Sequence, residues 1–258
     1  MTIVDPSRVG SVIREVAQSV ILPRFRRLAA SEVREKRPGD LVTVADTEAE
    51  RDLTRRLGDL LPGSLVVGEE SVAADAAVLD RLADDGPVWI IDPVDGTANF
   101  AKGSELFAVI VALVVDGRTV QGWIHDPLAD RTAIAAAGDG AWMSERRLKV
   151  SPEGPLATMA GSAGWRARAL LTKAVARLVN QGSAAHDYLA LVEGRMQFAH
   201  FRRLRPWDHA AGVLLHQEAG GYSALMDGQP YRPQPANGGM LLTPGRASWD
   251  ALAPLVRD

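Results

Sequence analysis

A mixed α/β fold is predicted for this 258-residue chain, an α+β half over residues 1–150 followed by an α/β half over 151–258. Three observations predict it. Apolar residues recur at helical spacing early in the chain, β-branched runs broken by turn pairs fill residues 88–143, and strands and helices alternate again after Pro152.

In order along the chain, Val12, Ile13, Val16 and Val20 recur at a three-and-four spacing, with Phe25 five further on, and give a helix within residues 9–28 one apolar face. Pro23, without an amide proton, should kink or shorten that helix. A second helix is expected from near Asp46, with Ala49, Leu53, Leu57 and Leu60 on one face, stopping at Pro62-Gly63. A short strand begins at 65–67. VWII, FAVIVALVV, TVQGWIHDP and TAIAAA, with the turn pairs Asp116-Gly117 and Gly138-Asp139-Gly140, read as an antiparallel meander. Helices are expected again near 183–193, 209–218 and 248–255.

Composition narrows the chemistry. The net charge is -3, from 29 basic and 32 acidic residues, so the chain lacks the electrostatic footprint of a nucleic-acid or anionic-membrane binder. Small-molecule partners become the expectation. There is no cysteine, which removes disulfides and thiolate metal sites and leaves His, Asp, Glu and backbone oxygens as ligands. The start lacks a basic segment followed by an unbroken apolar one, and eighteen apolar residues nowhere run together, so a cytoplasmic protein is expected.

The residues that carry chemistry are carboxylates. In DPVDGTAN the strand before it delivers Asp92 to its end, Pro93 fixes the following turn and Asp95 returns a second carboxylate toward the same point. Two such charges repel unless a cation lies between them, and a hard divalent ion such as Mg²⁺ suits all-oxygen ligands. The same residues also suit a plain β-turn and a cap. Upstream, Gly68-Glu69-Glu70-Ser71 ends another apolar strand. Downstream, Asp208 precedes an apolar-periodic helix, where it would serve as N-cap and could also hold a ligand. Gly96 to Asn99 forms a glycine turn opening into a short helix, whose free amides favour an anion. Thr97 could pass a proton to a carboxylate such as Asp46, although Asp46 also reads as the cap of its own helix.

WIIDPVDGTANF, GEES before it and WDHAAG after it resemble the motifs of the inositol monophosphatase family, and DLVTVAD resembles the preceding segment. The resemblance spans roughly residues 36–212. It implies a layered αβαβα sandwich, a homodimer, and hydrolysis of a small phosphorylated substrate with two or three Mg²⁺, inhibited by Li⁺. It makes Glu69, Asp92 and the carbonyl of Val94 ligands of one ion, and Asp92, Asp95 and Asp208 ligands of a second. A third ion near Glu69 is associated with the attacking water, which Thr97 and Asp46 would activate. Glu70 would support the ligands from behind. The amides of Gly96 and Thr97 would receive phosphate, and Gly182, Ser183 and Ala184 resemble the family's Gly-Thr-Ala pocket segment.

Competing classes are a two-metal nuclease and a non-catalytic metal-binding protein. The former should show basic stripes with stacking aromatics, and the chain shows none. The latter should lack a ligand, and each expected side-chain ligand is present. His186, His200 and His209 lack metal-ligand spacing and read as structural, Trp207 as core packing that fixes Asp208, and Lys36 as at least equally a solvated lysine. One departure bears on the substrate. Family members acting on inositol monophosphate carry an acid seven positions before the Trp-Asp aspartate, and here that position is Phe201. Arg202, Arg203 and Arg205 follow it, either as a solvated face or as partners for a further anionic group. An ester with a further anionic or apolar portion is therefore expected, and the resemblance implies histidinol phosphate, sugar bisphosphates and nucleotide 3′-phosphates as alternatives to inositol phosphates.

Overall fold

The computed structural model describes residues 3–164, 167–236 and 238–256. Helix α1 (Pro6–Val16) starts under Asp5, whose side chain accepts the Ser7 amide, and buries Val9, Ile13 and Val16. The helical path then widens into a π turn at Ala17–Ile21 and tightens into a 3₁₀ turn at Leu22–Arg24. Pro23 thus falls where the α-helix has already ended, as a residue without an amide proton requires.

A hairpin of β1 (Val33–Arg37) and β2 (Asp40–Thr43) leads into α2 (Val44–Leu60). This helix begins two residues before the expected Asp46, because Thr43 and Asp46 cap each other reciprocally. There follow β3 (Leu65–Gly68), α3 (Glu69–Ala74), β4 (Val88–Asp95) and α4 (Thr97–Ala101). The meander continues as β5 (Ala108–Val115), β6 (Arg118–Asp126), β7 (Arg131–Ala136), β8 (Gly140–Met143) and β9 (Arg146–Arg147). Strands β3 to β9 form one sheet in sequence order, antiparallel except for the parallel pair β3 and β4.

The second sheet has the order β11-β10-β12-β14-β13, built from β10 (Ala160–Ala163), β11 (Arg177–Val179), β12 (Phe198–Phe201), β13 (Tyr222–Leu225) and β14 (Met240–Thr243). Helices α5 (Arg168–Ala174), α6 (Ala184–Val192), α7 (Pro206–Glu218) and α8 (Arg246–Val256) complete the chain. Strand alternation sorts side chains into three cores. Trp89, Ile91 and Val111 face α1 and α2, with Ile13, Leu53 and Leu57. Ile90, Ile110 and Ile124 face α6 and α7, meeting Leu189 and Ala211, and the same core takes Ala199, Met240 and Leu242 from the second sheet. Phe198 and Leu241, on that sheet's other face, pack with Leu171, Trp249 and Leu252 of α5 and α8. The result is a five-layer αβαβα sandwich, the layering that the resemblance implies, within the mixed α/β class that the sequence pattern predicts.

Candidate active site

Asp92 and Asp95 stand three residues apart, and on a regular strand such residues point to opposite faces. In β4 they do not. Asp92 pairs with Ile110 and Asp95 with Ala108, so the partner strand advances by two residues while β4 advances by three. The extra residue makes a β-bulge, which turns both carboxylates toward the layer of α6 and α7, the face on which Ala108 and Ile110 pack. Pro93 is tolerated there because a bulge needs no ladder donor. The turn expected at Pro93 is therefore a bulge inside a continuing strand.

The other acids reach this point from separate elements. Glu69 leaves the end of β3, whose last residue Gly68 pairs with Ile91 of the adjacent parallel strand. Asp208 comes from the first turn of α7. The expectation that Asp208 is the N-cap is corrected: Arg205 takes that position, Pro206 opens the helix and Asp208 is its third residue. Proline's fixed φ favours the first helical position. Carboxylate oxygens of Glu69, Asp92 and Asp208 all lie within 4.8 Å of one another. Burial, then the charges of Glu69 and Asp95, hold Asp92 and Asp208 well above the usual carboxylate range. An acidic cluster held this way is relieved by a cation, and its oxygen-only donors suit Mg²⁺.

Asp95 sits apart from that trio and is engaged by α6. Its Oδ1 accepts the Ala184 amide at 3.1 Å, and its Oδ2 accepts the Ala185 amide at 3.0 Å and the Ser183 hydroxyl. Burial outweighs these bonds and pushes its pKa to about 6. Asn99 joins the same turns, donating to the carbonyls of Leu106 and Gln181 at 2.8 Å each. Gly96 makes the turn into α4 with φ of 83°, and a Cβ there would lie 2.7 Å from the Leu106 carbonyl oxygen.

Thr97 donates toward either Asp46 Oδ1 or the Val94 carbonyl, each at 3.0 Å. Asp46 Oδ2 also accepts the amide and hydroxyl of Thr43 at 2.8 and 2.5 Å. The helix cap expected at Asp46 is thus Thr43, and Asp46, the third helical residue, closes the capping box while also accepting from Thr97. Burial raises its pKa to about 6 against those bonds.

Lys36 is not a solvated lysine. Its Nζ lies 2.8 Å from Glu69 Oε1 and 2.9 Å from Glu70 Oε1, and only 13% of the side chain is exposed. Burial would lower its pKa, but the charge of Glu69 and the hydrogen bonds to both glutamates hold it above the usual value. Arg205 approaches Glu69 Oε1 at 3.7 Å and Asp40 Oδ2 at 3.2 Å. Glu70 itself is pushed to about 7 by burial, despite Lys36.

Two cavities open beside the acids. One of about 930 Å³ is lined by Gly182, Ser183, Ala184, Phe201, Arg203 and Asp208, and one of about 610 Å³ by Lys36, Glu69, Arg203 and Arg205. The ring of Phe201 stacks on Tyr188 with centroids 5.3 Å apart. The histidines are structural where their contacts are resolved: His186 meets the Phe107 carbonyl, and His209 bridges the Tyr188 hydroxyl and the Arg203 carbonyl. Trp207 is buried in the core next to Asp208.

The family model of the inositol monophosphatase family matches residues 7–258. The chain belongs to that family. It is a phosphatase, a hydrolase of phosphate monoesters. An inositol-1-monophosphatase of Bacillus subtilis is 34% identical over 205 residues, covering 75% of this chain and 76% of the relative. A Thermotoga maritima protein named fructose-1,6-bisphosphatase/inositol-1-monophosphatase is 34% identical over 195 residues, covering 72% of this chain and 73% of its own. The solved structure of a Thermotoga maritima IMPase superposes with a TM-score of 0.84 at 27% identity, over 97% of this chain and 95% of that one.

Sequence reasoning missed Glu50, a buried acid one helical turn after Asp46, and Asn99. The spacing of four residues between two acids on one helix was the available signal for Glu50. Asn99 carried none, because its partners are backbone carbonyls, of Leu106 seven residues on and of Gln181 82 residues on, which only the fold brings to it.

Proposed function

We propose that this phosphatase hydrolyses small phosphate monoesters with two or three Mg²⁺ held by Glu69, Asp92, Asp95, Asp208 and the carbonyl of Val94. The observation that carries the reading is the convergence of Glu69, Asp92 and Asp208 beside the Thr97–Asp46 pair. Bound there, Mg²⁺ would supply positive charge against the phosphate and against the attacking and leaving oxygens. The chain's own residues do the rest. Thr97 takes a proton from the attacking water as it passes its own to Asp46 Oδ1, so the hydroxyl is restored, the water becomes hydroxide and the carboxylate ends protonated. The amides of Gly96 and Thr97, at the opening of α4, receive the phosphate, and Gly182, Ser183 and Ala184 flank it. Glu70 and Lys36 hold Glu69 in place. The same reading has the protein as a Li⁺-inhibited, cytoplasmic homodimer that takes no nucleic acid and no membrane; no helix among the described residues is long and apolar enough to cross one.

The alcohol portion of the ester faces Phe201, Arg202 and Arg203 in the larger cavity. Phenylalanine cannot accept a hydrogen bond from a ring hydroxyl, and losing such a contact costs about 1–3 kcal/mol. An ester with a further anionic or apolar portion, such as histidinol phosphate, a sugar bisphosphate or a nucleotide 3′-phosphate, is expected to exceed myo-inositol 1-phosphate in kcat/KM. A panel of these four classes tests this. A tenfold advantage for myo-inositol 1-phosphate, about 1.4 kcal/mol in transition-state binding, would refute the preference.

A further inference from the structure

Glu50 lies on α2, one turn beyond Asp46, and is 4% exposed. It stands outside the trio of Glu69, Asp92 and Asp208. Its carboxylate is spent instead on the first turn of α3. Oε2 accepts the Glu70 amide at 2.7 Å, and Oε1 accepts the Ser71 amide at 2.8 Å and the Ser71 hydroxyl. Helix α3 has six residues, too few to hold its own direction, so these bonds anchor the turn from which Glu69 projects. Gly68, immediately before Glu69, packs on the same carboxylate: a Cβ added there would meet Glu50 Cδ at 2.2 Å. A side chain at 68 and the Glu50 carboxylate therefore exclude each other.

The same stretch of α2 also carries Asp46 to Thr97. One helix thus places Asp46, the proposed proton acceptor, and, through Glu50, the glutamate proposed to hold the cation. We infer that Glu50 is a positioning residue, fixing the direction in which α3 presents Glu69 to the metal site and its distance from Thr97 and Asp46. The inference rests on the Mg²⁺ site proposed above. A buried cap serving the fold alone would lower thermal stability without altering metal affinity, which separates the two roles.

The test is calorimetric titration of Mg²⁺ into the chelated protein, its Glu50→Gln and Gly68→Ala variants, and the Glu50→Ala single and Glu50→Ala/Gly68→Ala double variants, with thermal unfolding of each metal-free form. Glu50→Gln keeps the shape but sets an amide against donors, and Gly68→Ala keeps the carboxylate but displaces it. Each is expected to weaken Mg²⁺ binding about 10- to 100-fold, the usual effect of removing a group that orients a ligand. In the Glu50→Ala background, Gly68→Ala should add little, because the group it displaces is gone. Wild-type affinity in folded variants, whatever their melting temperature, overturns the inference and leaves the proposed function standing. Wild-type protein that binds no Mg²⁺ overturns both. Failure of every variant to fold would assign Glu50 to the fold and overturn the inference too.

Discussion

Thr97 has one proton and two acceptors, Asp46 Oδ1 and the Val94 carbonyl, each at 3.0 Å. Sharing of this kind suits a relay, since turning the hydroxyl toward Asp46 leaves an oxygen lone pair free to accept from water. Thr97→Ala should therefore lower kcat by about 10²–10⁴-fold while leaving Mg²⁺ affinity near that of the wild type. Asp208→Asn should do the reverse first, raising the Mg²⁺ concentration needed for half-maximal activity. Steady-state kinetics over a Mg²⁺ series separates the two, and wild-type turnover in Thr97→Ala would remove it from the proton path. At this scale the sequence is informative where a residue type has few other reasons to be present. Asp92, Asp95 and Thr97 stand out in a short motif, whereas Lys36 reads as one more surface lysine until Glu69 and Glu70 are seen on either side of its ammonium group.

Among the elements, the bulged end of β4 and the turn into α4 carry the site. Gly96 is the joint between them, in a left-handed conformation that disfavours L side chains by about 1–2 kcal/mol. Gly96→Ala also drives its Cβ against the Leu106 carbonyl at 2.7 Å. It is expected to lower both melting temperature and kcat, measured by calorimetry and phosphate release; a variant as stable and active as wild type would show that the turn adapts freely. The helices and the meander are legible because period and turn residues are local signals. The bulge is not, because Asp-Pro-Val-Asp reads as a turn unless the register of β5 is known. The capping of α3 by Glu50 is hidden for the same reason: both partners are ordinary in their own segments, and only packing brings α2 to α3.

For the whole molecule, the largest core draws on both sides of residue 150, joining Ile110 and Ile124 to Leu189, Ala211 and Leu242. His216 is buried beside it with neither ring nitrogen bonded to any described residue, and burial pushes its pKa down to about 3. The sign follows directly. Below its ordinary 6.5 the unfolded chain binds a proton that the folded chain refuses, so this contribution is complete above pH 6.5 and is lost as pH falls toward 3. His216→Leu removes the titration. Its stability relative to wild type, from denaturant unfolding, should improve by up to about 1.4 kcal/mol for each pH unit below 6.5. A difference that does not change with pH would mean that the imidazole is protonated inside the fold. The layers so held bring Glu69 at the start of α3, Asp92 of β4 and Asp208 of α7 to one point, which in the proposed function works through a divalent cation. Phosphate release by the chelated protein, followed as Mg²⁺ is added back across the four ester classes, tests it most directly. Turnover is expected to be negligible without metal and to recover saturably with it; equal turnover in both conditions, or none with Mg²⁺ on any ester, would refute the metal requirement.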